Sequence, residues 1–237
     1  MSKFLSTCFS ILFISHIALA QNFEIGLTVG ALTYNGDIDI VAKNVGSATN
    51  AAFGLVGKYR LSNSLLVRGQ ILRGKLSGSE KTHPTAWRQE RGLSFTSPLT
   101  EISGLLEWEF LSRGNFTAYA FGGASLSFFN PKTDFNMPNK YIDDVNPDAN
   151  VNYRKFTATV PVGMGLKYSL PHNFFISAEM GARFAFSDYL DGISQVGNPN
   201  RKDTYIYTGL AITKAFGGGK SGANRAFKQG DANCPKF

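Results

Sequence analysis

Apolar and polar residues alternate in eight segments of this chain, each about ten to fourteen residues long. A period of two predicts β-strands with one apolar face. The pattern is clearest in the fourth segment, where Ile102 and Trp108 alternate with Glu101, Glu107 and Glu109. In the fifth, glycine-rich segment the alternation does not fix which face is apolar. The predicted strands are 23–34, 51–61, 64–76, about 99–110, 116–129, 156–168, 174–186 and 204–216.

The connections between these segments alternate strictly between short and long. The short ones are 62–63, 112–115 and 169–173, and the long, polar ones are 35–50, 77–94, 130–154 and 187–203. Short periplasmic turns alternating with long extracellular loops are typical of up-and-down barrels in outer membranes. The sequence therefore predicts an all-β protein with an eight-stranded antiparallel transmembrane β-barrel of OmpA/OmpX-like size. A soluble exported β-domain, recoverable without detergent, remains the alternative fold.

The two ends of the chain differ from the barrel region. Lys3, an apolar run and the small-x-small sequence Ala18-Leu19-Ala20 predict a signal peptide at 1–20. Beyond it, no stretch of eighteen apolar residues predicts a transmembrane helix. The glycine-rich sequence after Phe216 predicts a flexible tail. The expected organisation is a signal peptide at 1–20, a barrel at 21–216 and a periplasmic tail at 217–237.

The predicted inward faces carry charges of both signs. A lumen of eight strands is just wide enough for side chains to fill, and buried charges need partners. We therefore expect an ion-paired network that fills the barrel, in preference to an open pore, with the many inward glycines relieving crowding. Its members are Glu24, Lys58, Arg60, Arg68, Glu101, Glu107, Glu109, Lys167, Glu179 and Arg183.

Aromatic residues recur near the predicted strand ends, where the aromatic girdles of a membrane barrel lie. In a soluble protein the same residues would be the edge of a core. The residues assigned to the girdles are Tyr34, Tyr59, Trp108, Phe110, Tyr168, Phe186 and Phe216.

The sequence holds few residues arranged for chemistry. His83 and His172 fall on opposite sides of the predicted membrane, so they cannot share a metal ion or a proton relay. The segment at 144–148 begins like an EF-hand loop, but Ala149 replaces the required glycine and Lys155 the bidentate glutamate. We expect no catalytic residues, no metal and no cofactor, with loose calcium coordination by Asp143, Asp144 and Asp148 as the alternative. A lipid-modifying barrel enzyme that uses loop residue His83 remains an alternative.

Charge and cysteine usage narrow the range of partners. The formal net charge is +7, but the basic residues are scattered and the chain is predicted to be exported, so we expect no nucleic-acid partner. Cys8 would leave with the signal peptide, which makes Cys234 the only thiol of the mature chain. An odd cysteine in an oxidising compartment is either free or paired with another molecule. Cys234 is therefore a candidate for an intermolecular disulfide.

Several sequence blocks resemble the PorG-like outer-membrane barrels associated with type IX protein secretion. The similarity covers most of the mature chain and is densest in its second half. The blocks are Tyr34-Asn35-Gly36-Asp37, Phe128-Phe129-Asn130-Pro131-Lys132, Val162-Gly163-Met164-Gly165-Leu166-Lys167-Tyr168, Glu179-Met180-Gly181-Ala182-Arg183, Ser187-Asp188-Tyr189-Leu190-Asp191, Gly197-Asn198-Pro199 and Cys234-Pro235-Lys236-Phe237.

The resemblance implies an accessory component that anchors a periplasmic secretion assembly to the outer membrane, distinct from the translocation pore. The expected partners are outer-membrane lipid around the barrel and a periplasmic or lipoprotein secretion subunit bound through the C-terminal tail. The alternative is a general OmpA-like surface barrel for envelope integrity or for ligand binding by the loops.

Overall fold

A computed structural model describes residues 23–35, 48–82, 85–134, 154–187, 189–192 and 202–216 of the chain. The predicted signal peptide and the predicted tail lie outside the described residues. Strands dominate, with one short helix, α1 (Ala86–Arg91), and 3₁₀ turns at Glu80–Thr82 and Pro171–Asn173. The strands are β1 (Phe23–Asn35), β2 (Thr49–Arg60), β3 (Leu65–Ser79), β4 (Ser94–Arg113), β5 (Phe116–Phe129), β6 (Lys132–Asp134), β7 (Phe156–Ser169), β8 (Phe174–Ala185) and β9 (Thr204–Phe216).

Eight of these strands form a closed antiparallel barrel. The hydrogen-bonded order is β3-β2-β1-β9-β8-β7-β5-β4, and a further pairing between β3 and β4 closes the ring. The three-residue β6 pairs only with the first residues of β4. The predicted eight-stranded up-and-down barrel is thus confirmed.

The short turns all lie at one end of the barrel. The β4–β5 turn contains Gly114 with φ 59°, and the β7–β8 turn contains His172 and Asn173 with φ 61° and 62°. Glycine adopts this left-handed region freely, and Asn and His tolerate it better than most residues. The register pairs Phe23 with Phe216, so the two ends of the barrel sequence also lie at this end.

Most strand bounds agree with the predicted ones to within two or three residues, and β4 is the exception. It begins at Ser94, five residues before the predicted start, and pairs with β3 out to Ser79. The hydroxyl residues and Pro98 before Leu99 are typical of a loop, which is why the sequence alone predicts one there. Pro98 fits in the strand because it lies between the residues of β4 that pair with β5 and those that pair with β6.

The outer surface of the barrel is apolar. Among the outward side chains, Met164 is 66% exposed, Phe53 63% and Leu27 56%, whereas their neighbours in sequence face a packed interior. An apolar exterior around a polar interior is the arrangement of a transmembrane barrel. No helix of the described residues is long and apolar enough to cross a membrane.

Two expectations about strand phase are settled or corrected by the structure. The fifth strand, whose phase the sequence leaves open, turns Tyr119 and Phe121 into the lumen and Leu126 and Phe128 outward.

Tyr34 does not belong to an aromatic girdle, because its side chain is fully buried inside the barrel. Its position near a strand end suggests a girdle, but its even-numbered phase on β1 is the same as that of inward-facing Glu24 and Thr28.

An apolar cluster fills the lumen at the end opposite the short turns. Leu93, just before β4, and Leu190, between β8 and β9, join inward residues of the strands there. The barrel is therefore closed at this end by hydrophobic packing. The buried members are Leu32, Tyr34, Ala52, Leu72, Leu76, Leu93, Phe95, Leu99, Phe129, Ala185, Leu190, Tyr205 and Tyr207.

Candidate functional site in the barrel lumen

The structure places all ten charged residues of the predicted network on the inward faces of the strands. Nine of them are buried, and Arg60, at the short-turn end of the lumen, is partly exposed. Five carboxylates face five basic side chains, so the formal charge of the set is zero.

The layer nearest the short turns joins residues from β2, β4 and β7. The ammonium group of Lys58 lies 2.8 Å from Oε2 of Glu107. Nη1 of Arg60 lies 2.9 Å from Oε2 of Glu109, and Lys167 donates to the other oxygen of the same carboxylate. Each basic side chain reaches across the lumen to β4 from another strand.

Glu24 on β1 is held more loosely in this layer. Its carboxylate lies 3.7 Å from the guanidinium group of Arg60 and accepts a hydrogen bond of 3.4 Å from the hydroxyl of Thr213. Because Arg60 reaches solvent, this pair is partly screened.

The middle layer centres on a bidentate pair between β3 and β8. The two terminal nitrogens of Arg68 each donate to one oxygen of Glu179 at 2.6 Å. Gln70 accepts from the same guanidinium at 2.6 Å, and the hydroxyl of Tyr119 donates to Glu179 at 3.0 Å. Oε2 of Glu107 lies 3.7 Å from Arg68 and so connects this layer to the one below. A fork-to-fork pair of this kind is the strongest geometry that an arginine and a carboxylate can adopt.

The third layer contains Arg183 and Glu101. Their nearest charged atoms are 3.6 Å apart, and the guanidinium lies over the ring of Tyr207 at 5.0 Å. Arg183 donates to the carbonyl of Gly181 at 2.8 Å, while its Nε and Nη2 have no hydrogen-bond partner among the described residues. Glu101 instead accepts a 2.5 Å hydrogen bond from Tyr205. Arg183 is consequently less well satisfied than Arg68, although it is fully buried.

A polar contact that the sequence does not reveal ties loop residues into the apolar end of the barrel. Tyr34 donates to Asp191 at 2.8 Å and to Asp203 at 2.6 Å. Asp203 also accepts from the backbone N–H of Leu190 at 3.0 Å. Asp191 lies within a predicted long loop and Asp203 at its border, where no periodicity predicts the direction of a side chain. The inward phase of Tyr34 is therefore the only sequence feature that points to this contact.

The segment between β3 and β4 is also anchored by charge. Buried Glu80 forms an ion pair with Arg91, with one hydrogen bond of 2.9 Å to its Nε. Trp87 of α1 is half exposed, with the guanidinium carbons of Arg88 and Arg91 at 5.3 and 5.0 Å from its ring. The predicted long loop 77–94 is therefore in part strand and in part a packed turn.

Aromatic rings and glycines occupy the space that the ion pairs leave. A methyl group at Gly165 would overlap Cζ of Tyr119, and one at Gly209 would overlap the hydroxyl of Tyr207. Each ring lies against a part of the wall that has no side chain. The glycines therefore make room for the aromatic part of the filling.

This arrangement can fill and stabilise the barrel, and it shows no catalytic grouping among the described residues. Within that part of the chain no group of three or more His, Cys, Asp and Glu side chains could hold a metal ion. His83, the aspartates of the EF-hand-like segment and Cys234 lie outside the described residues. His172 is in the β7–β8 turn, away from the lumen network.

Comparisons with known proteins give the following. Neisserial surface protein A is 12% identical over 82% of this chain and 97% of that one, with a TM-score of 0.46. A major outer membrane protein from Thermus thermophilus is 12% identical over 81% of this chain and 98% of its own, with a TM-score of 0.47. The N-terminal β-barrel domain of Pseudomonas aeruginosa OprF is 14% identical over 81% of this chain and 98% of its own, with a TM-score of 0.44. No curated protein matches. A family model described as "Domain of unknown function (DUF6089)" matches residues 2–222.

Proposed function

The chain belongs to the DUF6089 family, and we propose that it is a non-catalytic outer-membrane barrel that anchors a periplasmic assembly of the type IX secretion apparatus. The observation that carries the proposal is the filled lumen. Paired charges occupy three successive layers, and an apolar cluster closes one end. A barrel filled in this way does not conduct a folded protein, so its function belongs to surfaces outside the lumen.

The position of the first and last barrel strands supports an anchoring role. Phe216 pairs with Phe23 at the end of the barrel that carries the short turns. In outer-membrane barrels the short turns face the periplasm. Residues 217–237 would then extend into the periplasm, where Cys234 can reach a soluble or lipoprotein subunit. The specific link to type IX secretion rests on the resemblance to PorG-like barrels.

A Cys234→Ser variant tests the covalent part of this proposal. Outer membranes of cells that express the wild-type chain or the variant are run on a non-reducing gel and blotted for the protein. We expect a band of higher mass that disappears on reduction and in the variant, and a Ser221→Ala variant in the same tail should retain it. A wild-type chain that runs only as a monomer, with an alkylatable thiol, would refute the disulfide.

The secretion role is tested separately in a strain that lacks the gene. We expect the strain to retain secreted proteins in the periplasm, the full-length chain to restore export, and a chain lacking 217–237 to insert as a barrel without restoring it. If the deletion strain exports normally, the general OmpA-like surface barrel becomes the better description. If a His83→Ala substitution abolishes an activity of the purified barrel on lipid, the enzymatic alternative gains support instead.

A further inference from the structure

The outer wall formed by β3, β4 and β6 differs from the rest of the barrel surface. On β3 the outward apolar residues end at Ile71, and the next two outward side chains are the exposed Arg73 and Lys75. On β4 the outward row beyond Ile102 is polar or small, consisting of Thr100, Pro98 and Thr96. The exterior is thus apolar near the short turns and cationic near the opposite end.

The outward apolar run on β3 is short. At about 3.3 Å per residue and a strand tilt of about 40°, the run from Leu65 to Ile71 spans roughly 15 Å. The outward run on β8 from Phe174 to Phe184 spans roughly 25 Å, which matches the usual apolar band of a membrane barrel. Arg73 therefore lies within the upper part of the apolar band, and Lys75 lies at its upper border. Long basic side chains at these positions extend towards the lipid headgroups.

The register brings a third cation to the same wall. Lys132 on β6 is exposed and pairs with Thr96 of β4. Thr96 also pairs with Ser77 of β3, which is two residues after Lys75. Arg73 itself pairs with Thr100. Three basic side chains and the hydroxyls of two threonines therefore share one outer surface, here called the cationic wall (Arg73, Lys75, Thr96, Thr100 and Lys132).

Among the described residues, no carboxylate neutralises the charge of this surface. Within the described part of the chain, Arg73, Lys75 and Lys132 make no ion pair or side-chain hydrogen bond. The three carboxylates of β4 all face the lumen, and β3 has no acidic residue. Asp134 lies at the tip of β6, further from the apolar band than Lys132, and has an interaction of its own. As far as the described residues go, the cationic wall thus presents unpaired positive charge at the membrane border.

We propose that the cationic wall binds the phosphate groups of lipid in the extracellular leaflet. Arginine presents a fork of donors that matches a phosphate, lysine adds a point charge, and threonine hydroxyls can donate to remaining oxygens. The short apolar run on β3 lets a phosphorylated headgroup sit lower against this wall than against β8. The inference rests on the barrel lying in an outer membrane and is independent of the role in secretion.

The test is native mass spectrometry of the full barrel in detergent, titrated with bisphosphorylated lipid A or with its dephosphorylated form. We expect the wild-type barrel to bind the phosphorylated lipid roughly tenfold more tightly, because each basic group near a lipid surface adds to the attraction. A variant with Arg73→Gln, Lys75→Gln and Lys132→Gln should lose this preference. A control with Arg113→Gln and Lys214→Gln, which removes cations at the opposite end of the barrel, should keep it.

Heat-dependent mobility on a gel confirms that each variant is folded. Equal binding of the two lipids by the wild-type barrel, or an unchanged preference in the triple variant, would overturn the proposal. Displacement of the lipid by the same concentration of inorganic phosphate would also overturn it, in favour of a free-anion site. If the triple variant keeps the lipid preference but loses a cross-linked protein partner in membranes, the cationic wall is a protein interface instead.

Discussion

At the scale of single residues, the contact that matters most is the bidentate pair of Arg68 and Glu179. Both side chains are almost fully buried, and each is satisfied chiefly by the other. Removing the carboxylate of Glu179 leaves buried Arg68 with only the 3.7 Å contact to Glu107, which already pairs with Lys58, and this costs more than the pair contributes as a whole. Gln70 and Tyr119 hold the two partners in place but cannot replace a charge.

A Glu179→Gln substitution should therefore lower the free energy of unfolding by about 3–5 kcal/mol, measured by urea unfolding in liposomes. The matched control is Glu24→Gln, whose partner Arg60 reaches solvent, and its effect should stay at or below about 1 kcal/mol. A double variant with Arg68→Met and Glu179→Met should recover most of the stability. Equal effects of the two glutamine substitutions would contradict the layered arrangement of the charges.

At the scale of the strand, the pairing of β5 with β7 depends on a residue that has no side chain. Tyr119 lies directly opposite Gly165, and the ring of Tyr119 covers the space where a Cβ would be. The carbonyl oxygen of Ala178 on β8 would also be only 2.7 Å from that Cβ. Neighbouring strands and a lumen ring therefore converge on this glycine.

A Gly165→Ala substitution should cost about 1–3 kcal/mol of stability, because it forces the ring or the strand to move. Gly69→Ala is the matched control, since a Cβ at that glycine of β3 meets nothing within 4 Å. Its effect should remain within about 0.5 kcal/mol. Unfolding of both variants under the same conditions decides the matter, and similar losses would show that the close contact with Tyr119 is not what requires glycine.

At the scale of the whole molecule, the interior is divided into a charged region and an apolar region. The ion pairs occupy the length from the short turns to Arg183 and Glu101, and the apolar cluster with Leu93 and Leu190 occupies the remainder. The contact of Tyr34 with Asp191 and Asp203 fixes part of the β8–β9 connection against that cluster. The lumen is thus filled along the length that the described residues cover.

The purified barrel should accordingly produce no discrete conductance steps in a planar lipid bilayer. The lumen side chains would have to separate from their partners to admit a column of water, and each separation leaves a buried charge without compensation. Detergent alone is the control for leakage. Stable, reproducible steps that depend on the folded protein would contradict a filled lumen.

The strands and the inward charges can be predicted from the sequence to a large extent. Strand phase has a period of two, so the face of Lys58 or Glu107 follows from its neighbours without any long-range information. The phase of β5 cannot be assigned in this way because aromatic residues lie on both faces, with Tyr119 and Phe121 inward and Phe116 and Phe128 outward. The start of β4 escapes prediction because Ser, Thr and Pro are common in loops, and only pairing with β3 makes a strand of them.

The strand count, the alternation of short and long connections, and the balance of lumen charge all follow from the sequence, because each depends on local periodicity and composition. Which charges pair is settled only by the fold, since Arg68 and Glu179 are 111 residues apart and meet only when the ring closes. The fold also brings Tyr34 against Asp191 and Asp203, and Arg73, Lys75 and Lys132 onto one wall. Closure fixes the register of every strand at once, and no local pattern contains that register.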